Sequence, residues 1–66
     1  MKEHDCFILI KDLNPVITKG MLGVILMIYN DNDIEVEFVR EDGSNYEYNE
    51  LFTFTITKDI IELVSF

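Results

Sequence analysis

An alternating run at residues 34–38 restricts the fold of this chain more than any other feature. It reads Ile-Glu-Val-Glu-Phe, so three apolar residues alternate with two glutamates. A period of two places the apolar side chains on one face of a β-strand and the carboxylates on the other. The chain also contains no alanine and takes its apolar residues mostly from Ile, Leu, Val and Phe, which favour strands over helices. We therefore predict an all-β domain.

Length and composition indicate one small domain that covers residues 1–66. A chain of 66 residues provides one modest core and buries only about 60% of its unfolded surface. The single cysteine, Cys6, excludes an internal disulfide and the usual cysteine-based metal sites. The N-terminus lacks the pattern of a signal peptide, and the uncharged stretch 20–30 is shorter than the roughly 20 residues that cross a bilayer. We expect a cytoplasmic protein with no membrane partner.

Five strands are predicted from the apolar runs and the turn signals between them. They cover 7–10, 23–29, 34–40, a fourth strand that starts at Ser44 and resumes over 52–56, and 61–64. Glu41-Asp42-Gly43 predicts a three-residue hairpin loop with Gly43 in the left-handed conformation. A break is expected near Asn49-Glu50, because unbroken alternation would turn Glu50 toward the core. Residues 57–60 are predicted to form a turn or a short 3₁₀ segment.

The loop over 41–43 sets the register of the third and fourth strands. It pairs Arg40 with Ser44, Phe38 with Tyr46 and Val36 with Tyr48. Both tyrosines then face the core beside apolar partners. The same register places Glu37 directly opposite Glu47, with Glu35 nearby on the same outer face. Like charges in such a cross-strand pair destabilise a sheet by roughly a few tenths of a kcal/mol, so their presence suggests a role in binding.

The connection between the second and third strands is predicted to be a loop of about five residues, 29–33. With this loop length, the even-numbered apolar residues of the second strand share the inner face of the third. They are Val24, Leu26 and Ile28. Ile25 and Met27 are then expected on the outer face, beside the glutamates.

Nearly all of the negative charge lies in one segment. The net charge is −8, and residues 31–50 contain eight acidic residues and a single basic one, Arg40, for a net charge of −7. Phosphate contacts need clustered Lys and Arg, so direct binding to nucleic acid is disfavoured. A basic protein partner fits this charge distribution better.

Several motifs resemble those of small bacterial SH3-like barrels. They are Lys19-Gly-Met-Leu-Gly23-Val, the strand that ends in Ile34-Glu-Val-Glu-Phe-Val, and Glu-Asp-Gly43. The chain looks most like a family of short bacterial proteins with an apolar first strand and a Lys-Asp-Leu-x-Pro loop, here Cys6-Phe-Ile-Leu-Ile-Lys-Asp-Leu-Asn-Pro15, and it closes with Lys58-Asp-Ile-Ile-Glu-Leu-Val64. The resemblance implies a five-stranded SH3-like barrel. It also implies a protective partner of a bacterial toxin: an immunity protein of a contact-dependent or polymorphic toxin system, or an antitoxin.

The candidate partner-binding residues combine this acidic segment with the apolar residues expected next to it. They are Ile25, Met27, Tyr29, Asp31, Asp33, Glu35, Glu37 and Glu47. An apolar centre with a charged rim is typical of protein interfaces, and tyrosine is frequent at their energetic centres. The simpler alternatives are that the glutamates form a solvated face that keeps the sheet soluble, that the 12–20 loop covers the apolar pair, and that Tyr29 packs on its neighbours.

No residue set in the sequence supports catalysis. His4, Asp5 and Cys6 are adjacent, but successive side chains entering a strand point to opposite faces, and the chain has no second histidine. The acidic turn at 31–33 lacks the spacing of a calcium-binding loop. Gly20 and Gly23 precede no helix that could bind phosphate. We therefore expect a protein that is not an enzyme and that uses no metal or other cofactor.

Two functions remain from different classes. The first is an immunity protein or antitoxin that neutralises a cognate toxin, a basic nuclease, through the acidic surface of the second to fourth strands. The second is a structural or assembly module that joins a larger complex or forms a homo-oligomer through an edge strand. An RNA-binding module, a third reading, would require a basic face.

Overall fold

The computed structural model describes residues 1–64 and confirms the all-β fold class. Its five strands are β1 (Cys6–Leu9), β2 (Leu22–Ile28), β3 (Asp33–Phe38), β4 (Thr53–Thr57) and β5 (Ile61–Leu63), and a 3₁₀ turn over Lys58–Ile60 separates β4 from β5. Neighbouring strands are antiparallel, in the order β4-β3-β2-β1-β5. This arrangement agrees with the predicted small SH3-like barrel. Over the described range, no helix is long and apolar enough to cross a membrane.

One hydrophobic core lies on the inner face of the sheet. Its buried residues are Phe7, Leu9, Ile17, Ile25, Ile34, Val36, Phe38, Phe54, Ile56 and Ile61. The Phe38 ring stands edge-on to the Phe7 ring, with centroids 5.6 Å apart, and lies 5.8 Å from the Phe54 ring. A Cβ at Gly23 would overlap the Phe7 ring. The Phe7 ring therefore occupies the space that a side chain at position 23 would need.

The register between β2 and β3 changes part of the way along the pair. Ile28 lies opposite Ile34, as the predicted loop requires, and Met27 lies opposite Glu35. The register then shifts by one residue between Met27 and Ile25. Leu26 is the extra residue, so this irregularity is a β-bulge.

The bulge reverses the predicted faces of β2 on the N-terminal side of Leu26, whereas Met27 remains on the predicted outer face and Ile28 remains opposite Ile34. Ile25 lies opposite Val36 and is 0% exposed, so its assignment to the outer face and to the partner-binding set is wrong. Val24 and Leu26, which were expected in the core, are only half-buried. The physical reason is that successive strand residues point to opposite faces, so one inserted residue exchanges the inner and outer sets.

The hairpin after β3 follows the predicted register close to its loop. Gly43 has a φ of 91°, in the left-handed region expected for it. Arg40 N–H donates to the Ser44 carbonyl at 2.8 Å, and Tyr46 N–H donates to the Phe38 carbonyl at 2.9 Å. These two bonds match the predicted pairs.

Residues 47–52, called the excursion below, then leave the sheet. Asn49 and Glu50 both have positive φ, 52° and 65°, while Tyr48 and Leu51 exchange two backbone hydrogen bonds of 3.0 Å. Two consecutive residues with positive φ form the tight turn of a two-residue hairpin. The predicted break near residues 49–50 is therefore confirmed.

The excursion also overturns the rest of the predicted register. The ladder resumes with Glu37 opposite Thr53 and Val36 opposite Phe54. The predicted pairs of Val36 with Tyr48 and of Glu37 with Glu47 are wrong. The usual sequence signal for a turn with two positive φ values is Asn-Gly or Asp-Gly, and here the turn reads Asn-Glu, so the pattern did not reveal it.

The loop between β1 and β2 is ordered by its own polar contacts. Asn14 Oδ1 accepts hydrogen bonds from the N–H groups of Val16 and Ile17, at 2.9 and 2.7 Å. Asp12 Oδ1 accepts one from Lys19 N–H at 2.8 Å. Ile17 is fully buried and Leu13 packs partly against the core, so the loop is anchored by apolar side chains while its polar groups bond within the loop.

Candidate partner-binding surface

The outward side chains of the sheet form two unlike halves, which together are called the outer face. The apolar half consists of Ile8, Leu22, Val24 and Met27, and the acidic half consists of Glu35, Glu37, Thr53 and Thr55. The halves meet between β2 and β3, where Val24 lies opposite Glu37 and Met27 opposite Glu35. An apolar area bordered by charge suits protein recognition.

Glu35 is the most firmly held carboxylate of the outer face. Its Oε1 accepts a hydrogen bond from Thr55 Oγ1 at 2.5 Å and another from the Tyr29 hydroxyl at 3.3 Å. The bond from Thr55 is the main reason that the pKa of Glu35 lies below its ordinary value, and partial desolvation opposes it. Glu35 therefore presents a fixed negative charge at neutral pH.

Met27 and Tyr29 flank this carboxylate. Met27 is 48% exposed and Tyr29 is 52% exposed. The pKa of the Tyr29 hydroxyl is raised, first by partial desolvation and then by the charge and the hydrogen bond of Glu35. Tyr29 thus remains a neutral donor beside Glu35. The exposed side chains of Met27 and Tyr29 offer apolar surface to a partner.

Glu37 is positioned by the hairpin that follows β3. Its Oε2 accepts a hydrogen bond from Asn45 Nδ2 at 2.8 Å. Asn45 is held in place because its backbone bridges to Val39. The carboxylate is half-buried, so its orientation is fixed from one side while the other side faces outward.

Asp31 lies in the turn between β2 and β3, and Asp33 is the first residue of β3; they have different roles. Asn30 Oδ1 accepts hydrogen bonds from the N–H groups of Asn32 and Asp33, at 2.8 and 2.9 Å, which is a side-chain-stabilised turn. Asn30 Nδ2 also donates to Asp33 Oδ2 at 3.0 Å. The Asp33 carboxylate therefore takes part in the turn, whereas Asp31 is exposed at the tip.

The structure thus brings together only part of the predicted set. Met27, Tyr29, Glu35 and Glu37 share the outer face and its edge, Glu47 is exposed on the excursion, and Ile25 is inside. Among residues 1–64, no group of three or more His, Cys, Asp or Glu side chains is arranged to hold a metal ion.

A groove beside β4 was not predicted from the sequence. Its cavity volume is about 510 Å³, and its lining residues are Leu13, Asn14, Glu35, Tyr48, Leu51, Thr53, Phe54 and Thr55. Leu51 is 56% exposed there. The one available signal is the apolar pair Leu51-Phe52 directly after a polar turn. This pair alone does not predict a groove, because the groove also requires that the excursion place Leu51 next to the β1–β2 loop.

Comparison of the chain with protein-family models, curated proteins and solved structures gave no match. The functional conclusion therefore depends on the geometry and charge of the chain itself.

Proposed function

We propose that this chain is an immunity protein or antitoxin that binds and neutralises a cognate bacterial toxin in the cytoplasm. The toxin is a basic nuclease, and the contact is made by the outer face together with Tyr29. The observation that carries the proposal is the confinement of charge: residues 31–50 account for −7 of the net −8. The motif resemblance to small immunity-like barrels supports it.

The physical basis is competition with a nucleic acid for a cationic site. A nuclease presents Lys and Arg where phosphates bind, and carboxylates fixed on a rigid sheet can occupy the same positions. Glu35 and Glu37 are fixed in this way, since each accepts a hydrogen bond from a neighbouring side chain. The exposed apolar side chain of Met27, opposite Glu35, adds buried area next to the charges.

A growth assay tests the proposal. The gene immediately upstream is expressed from an inducible promoter in a bacterial host, with and without this chain. We expect growth arrest by the upstream product alone and recovery when this chain is present. Absence of toxicity, or toxicity that this chain does not relieve, would contradict the proposal.

A pair of charge-matched variants tests the surface. Glu35→Gln combined with Glu37→Gln removes two charges from the outer face, and we expect weaker rescue and a loss of toxin affinity of about tenfold or more, because charge pairs at interfaces contribute strongly. Glu3→Gln combined with Asp12→Asn removes the same charge away from the outer face, at two exposed residues, and should leave rescue intact. Equal rescue by both pairs would show that the interface lies elsewhere.

A second function, an assembly module, is favoured by one observation. The excursion exposes Leu51 and Phe52 side by side near an edge strand of the sheet, and such features often mediate association. This function predicts an oligomer of the purified chain, or a stable complex indifferent to salt. Light scattering at rising protein concentration separates it from the toxin-binding function, which predicts a monomer.

A further inference from the structure

We propose that the free edge of β4 is a docking site for an extended, basic segment of the partner protein, which adds to the sheet as an antiparallel sixth strand. The apolar side chains of this segment enter the groove beside β4, and its Lys or Arg side chains reach Glu35. The inference rests on the proposed function in one respect, because it assumes a basic protein partner.

Half of the backbone groups of β4 point away from the sheet. Among residues 1–64, β4 pairs only with β3 and lies at one end of the strand order. Lys58 N–H donates to the Asn32 carbonyl at 2.9 Å, and hydrogen-bonded positions alternate along an antiparallel pair. Thr53, Thr55 and Thr57 therefore occupy the non-hydrogen-bonded positions, and their N–H and C=O groups point away from β3.

The sequence of the β4 edge contains none of the residues that usually protect an edge strand. β4 reads Thr-Phe-Thr-Ile-Thr, with no proline, lysine or other charge, and an edge of this kind is a template for a further strand. The opposite edge, β5, has only three residues and includes Glu62. Leu13 borders the groove, but its N–H donates within its own loop, to the Ile17 carbonyl.

The groove extends around both sides of the edge strand. It is lined by Thr53, Phe54 and Thr55, whose side chains alternate between the outer face and the core. On the inner side it is apolar, with Leu13, Tyr48 and Leu51 near Phe54. On the outer side it has Glu35, whose charge is fixed by Thr55.

These positions define the pattern of the docking segment. In antiparallel addition, residues opposite Thr53 and Thr55 turn their N–H groups to β4 and their side chains to the outer face, near Glu35. The residue between them turns its side chain into the apolar side of the groove. The expected pattern is therefore basic–apolar–basic. Charge also disfavours a second copy of this chain, since pairing would bring two acidic segments together.

A synthetic probe tests the docking site directly. The peptide Lys-Val-Arg-Val-Lys, acetylated and amidated at its ends, is titrated into ¹⁵N-labelled protein and followed by NMR. We expect shifts of the Thr53, Thr55 and Thr57 amides, with slower hydrogen exchange of the same groups on binding. The same backbone with Glu in place of the basic residues should not bind. Absence of shifts, or shifts confined to the β5 edge, would overturn the proposal.

Backbone methylation tests the register. N-methylation of the basic residues removes the N–H groups that face β4, and we expect affinity to fall by about tenfold or more through lost hydrogen bonds. N-methylation of the two valines affects N–H groups that face solvent and should leave binding within about twofold. Equal tolerance of both peptides, or the reverse order, would overturn the antiparallel docking.

Protein variants test the carboxylate and the occupant. Glu35→Gln should lower the affinity for the basic peptide by about two- to fivefold, the range of an exposed ion pair. Glu62→Gln on the other edge should leave this affinity unchanged. A concentration-dependent dimer that protects the Thr55 amide without peptide would overturn the choice of a basic partner. Peptide binding does not require the toxin, so its failure and the failure of growth rescue are independent results.

Discussion

The contact between Gly23 and Phe7 shows how much one residue can decide in a domain this small. The Phe7 ring fills the position that a Cβ at residue 23 would take, and it also stands edge-on to Phe38. A glycine inside a strand usually weakens it, by roughly 0.5–1 kcal/mol relative to alanine. At position 23 this ordinary preference is reversed, because the missing side chain makes room for an aromatic ring at the centre of the core.

Gly23→Ala should therefore destabilise the protein. We expect the free energy of unfolding in urea to fall by about 1–3 kcal/mol, the usual cost of overpacking a core. In the double variant Gly23→Ala with Phe7→Leu, the smaller side chain leaves space for the new methyl group. The loss of unfolding free energy in the double variant should then be smaller than the sum of the losses in the two single variants, by about 1 kcal/mol. A stabilising Gly23→Ala would contradict the packing described.

Threonine hydroxyls of β4 control the ionisation of two carboxylates. Thr55 donates to Glu35 and Thr57 to Asp59, and each bond is the main cause of a pKa below the ordinary value of that carboxyl group. We expect Thr55→Val to raise the pKa of Glu35 alone and Thr57→Val to raise that of Asp59 alone. Carboxyl ¹³C shifts followed by NMR from neutral to acid pH measure both. A common rise in both variants would mean that general exposure, not the hydroxyls, sets these values.

The same bonds imply a pH dependence of stability. A carboxyl group with a lowered pKa in the folded state stabilises the fold above its unfolded pKa, and the contribution is lost as pH falls through the folded pKa. The free energy of unfolding should thus decline from mildly acidic pH downward. The decline should be shallower in the Thr55→Val variant than in the unmodified protein.

At the scale of strands, the bulge at Leu26 decides which side of β2 is inside. Ile25, next to it, is 0% exposed, whereas Leu26 is half-buried. Ile25→Ala should lower the free energy of unfolding by about 2–5 kcal/mol, and Leu26→Ala by about 1 kcal/mol. Urea denaturation measures both. Should Ile25→Ala fail to fold, Ile25→Val, with a cost of about 0.5–1.5 kcal/mol, serves in its place. The reverse order would mean that the bulge is absent in solution.

These elements also show how far the sequence could be interpreted. Five strands, the 41–43 hairpin and the 3₁₀ segment were predictable because alternation and turn residues are local signals, but the fourth strand begins at Thr53 and not at Ser44. The bulge was not, because β2 is apolar on both faces and either register satisfies the pattern. The carboxylates of β3 were placed on the outer face correctly, since Glu35 and Glu37 alternate with buried partners.

The groove was missed because it arises from contacts between distant parts of the chain. The groove beside β4 depends on the excursion meeting the β1–β2 loop, where Tyr48 and Leu51 approach Leu13. The residue pattern of either segment alone does not predict this contact. The pairing expected between Glu37 and Glu47 failed for a local reason: it continued the hairpin register through residues 47 and 48, whereas the chain leaves the sheet at residue 47, before the predicted break, and Glu37 pairs with Thr53.

At the scale of the whole molecule, the charge distribution opposes folding as well as favouring a basic partner. Most of the net −8 comes from one third of the chain, and like charges held together in the folded state repel. Salt screens this repulsion over a distance that falls from about 30 Å at 0.01 M to about 3 Å at 1 M. The fold should therefore be more stable at high ionic strength.

We expect the Tm measured by circular dichroism to rise by several degrees when NaCl increases from about 0.01 M to about 1 M. In the variant Glu37→Gln with Glu47→Gln, the rise should be smaller, since two charges of the acidic segment are gone. Glu3→Gln with Glu62→Gln has the same net charge and should keep most of the rise. A Tm independent of salt in the unmodified protein would contradict this account.

The excursion has a further consequence for how chains of this kind can diversify. It leaves the ladder after the Phe38–Tyr46 bond and returns at Thr53, so its length is not dictated by the pairing on either side. We therefore expect residues inserted or substituted at the Asn49-Glu50 tip to leave the register of the strands unchanged. Since Tyr48 and Leu51 line the groove, such changes would alter recognition while the core stays constant. Changes in the length or sequence of the excursion would thus adapt the binding surface to changes in the partner, while the neighbouring edge strand stays the same.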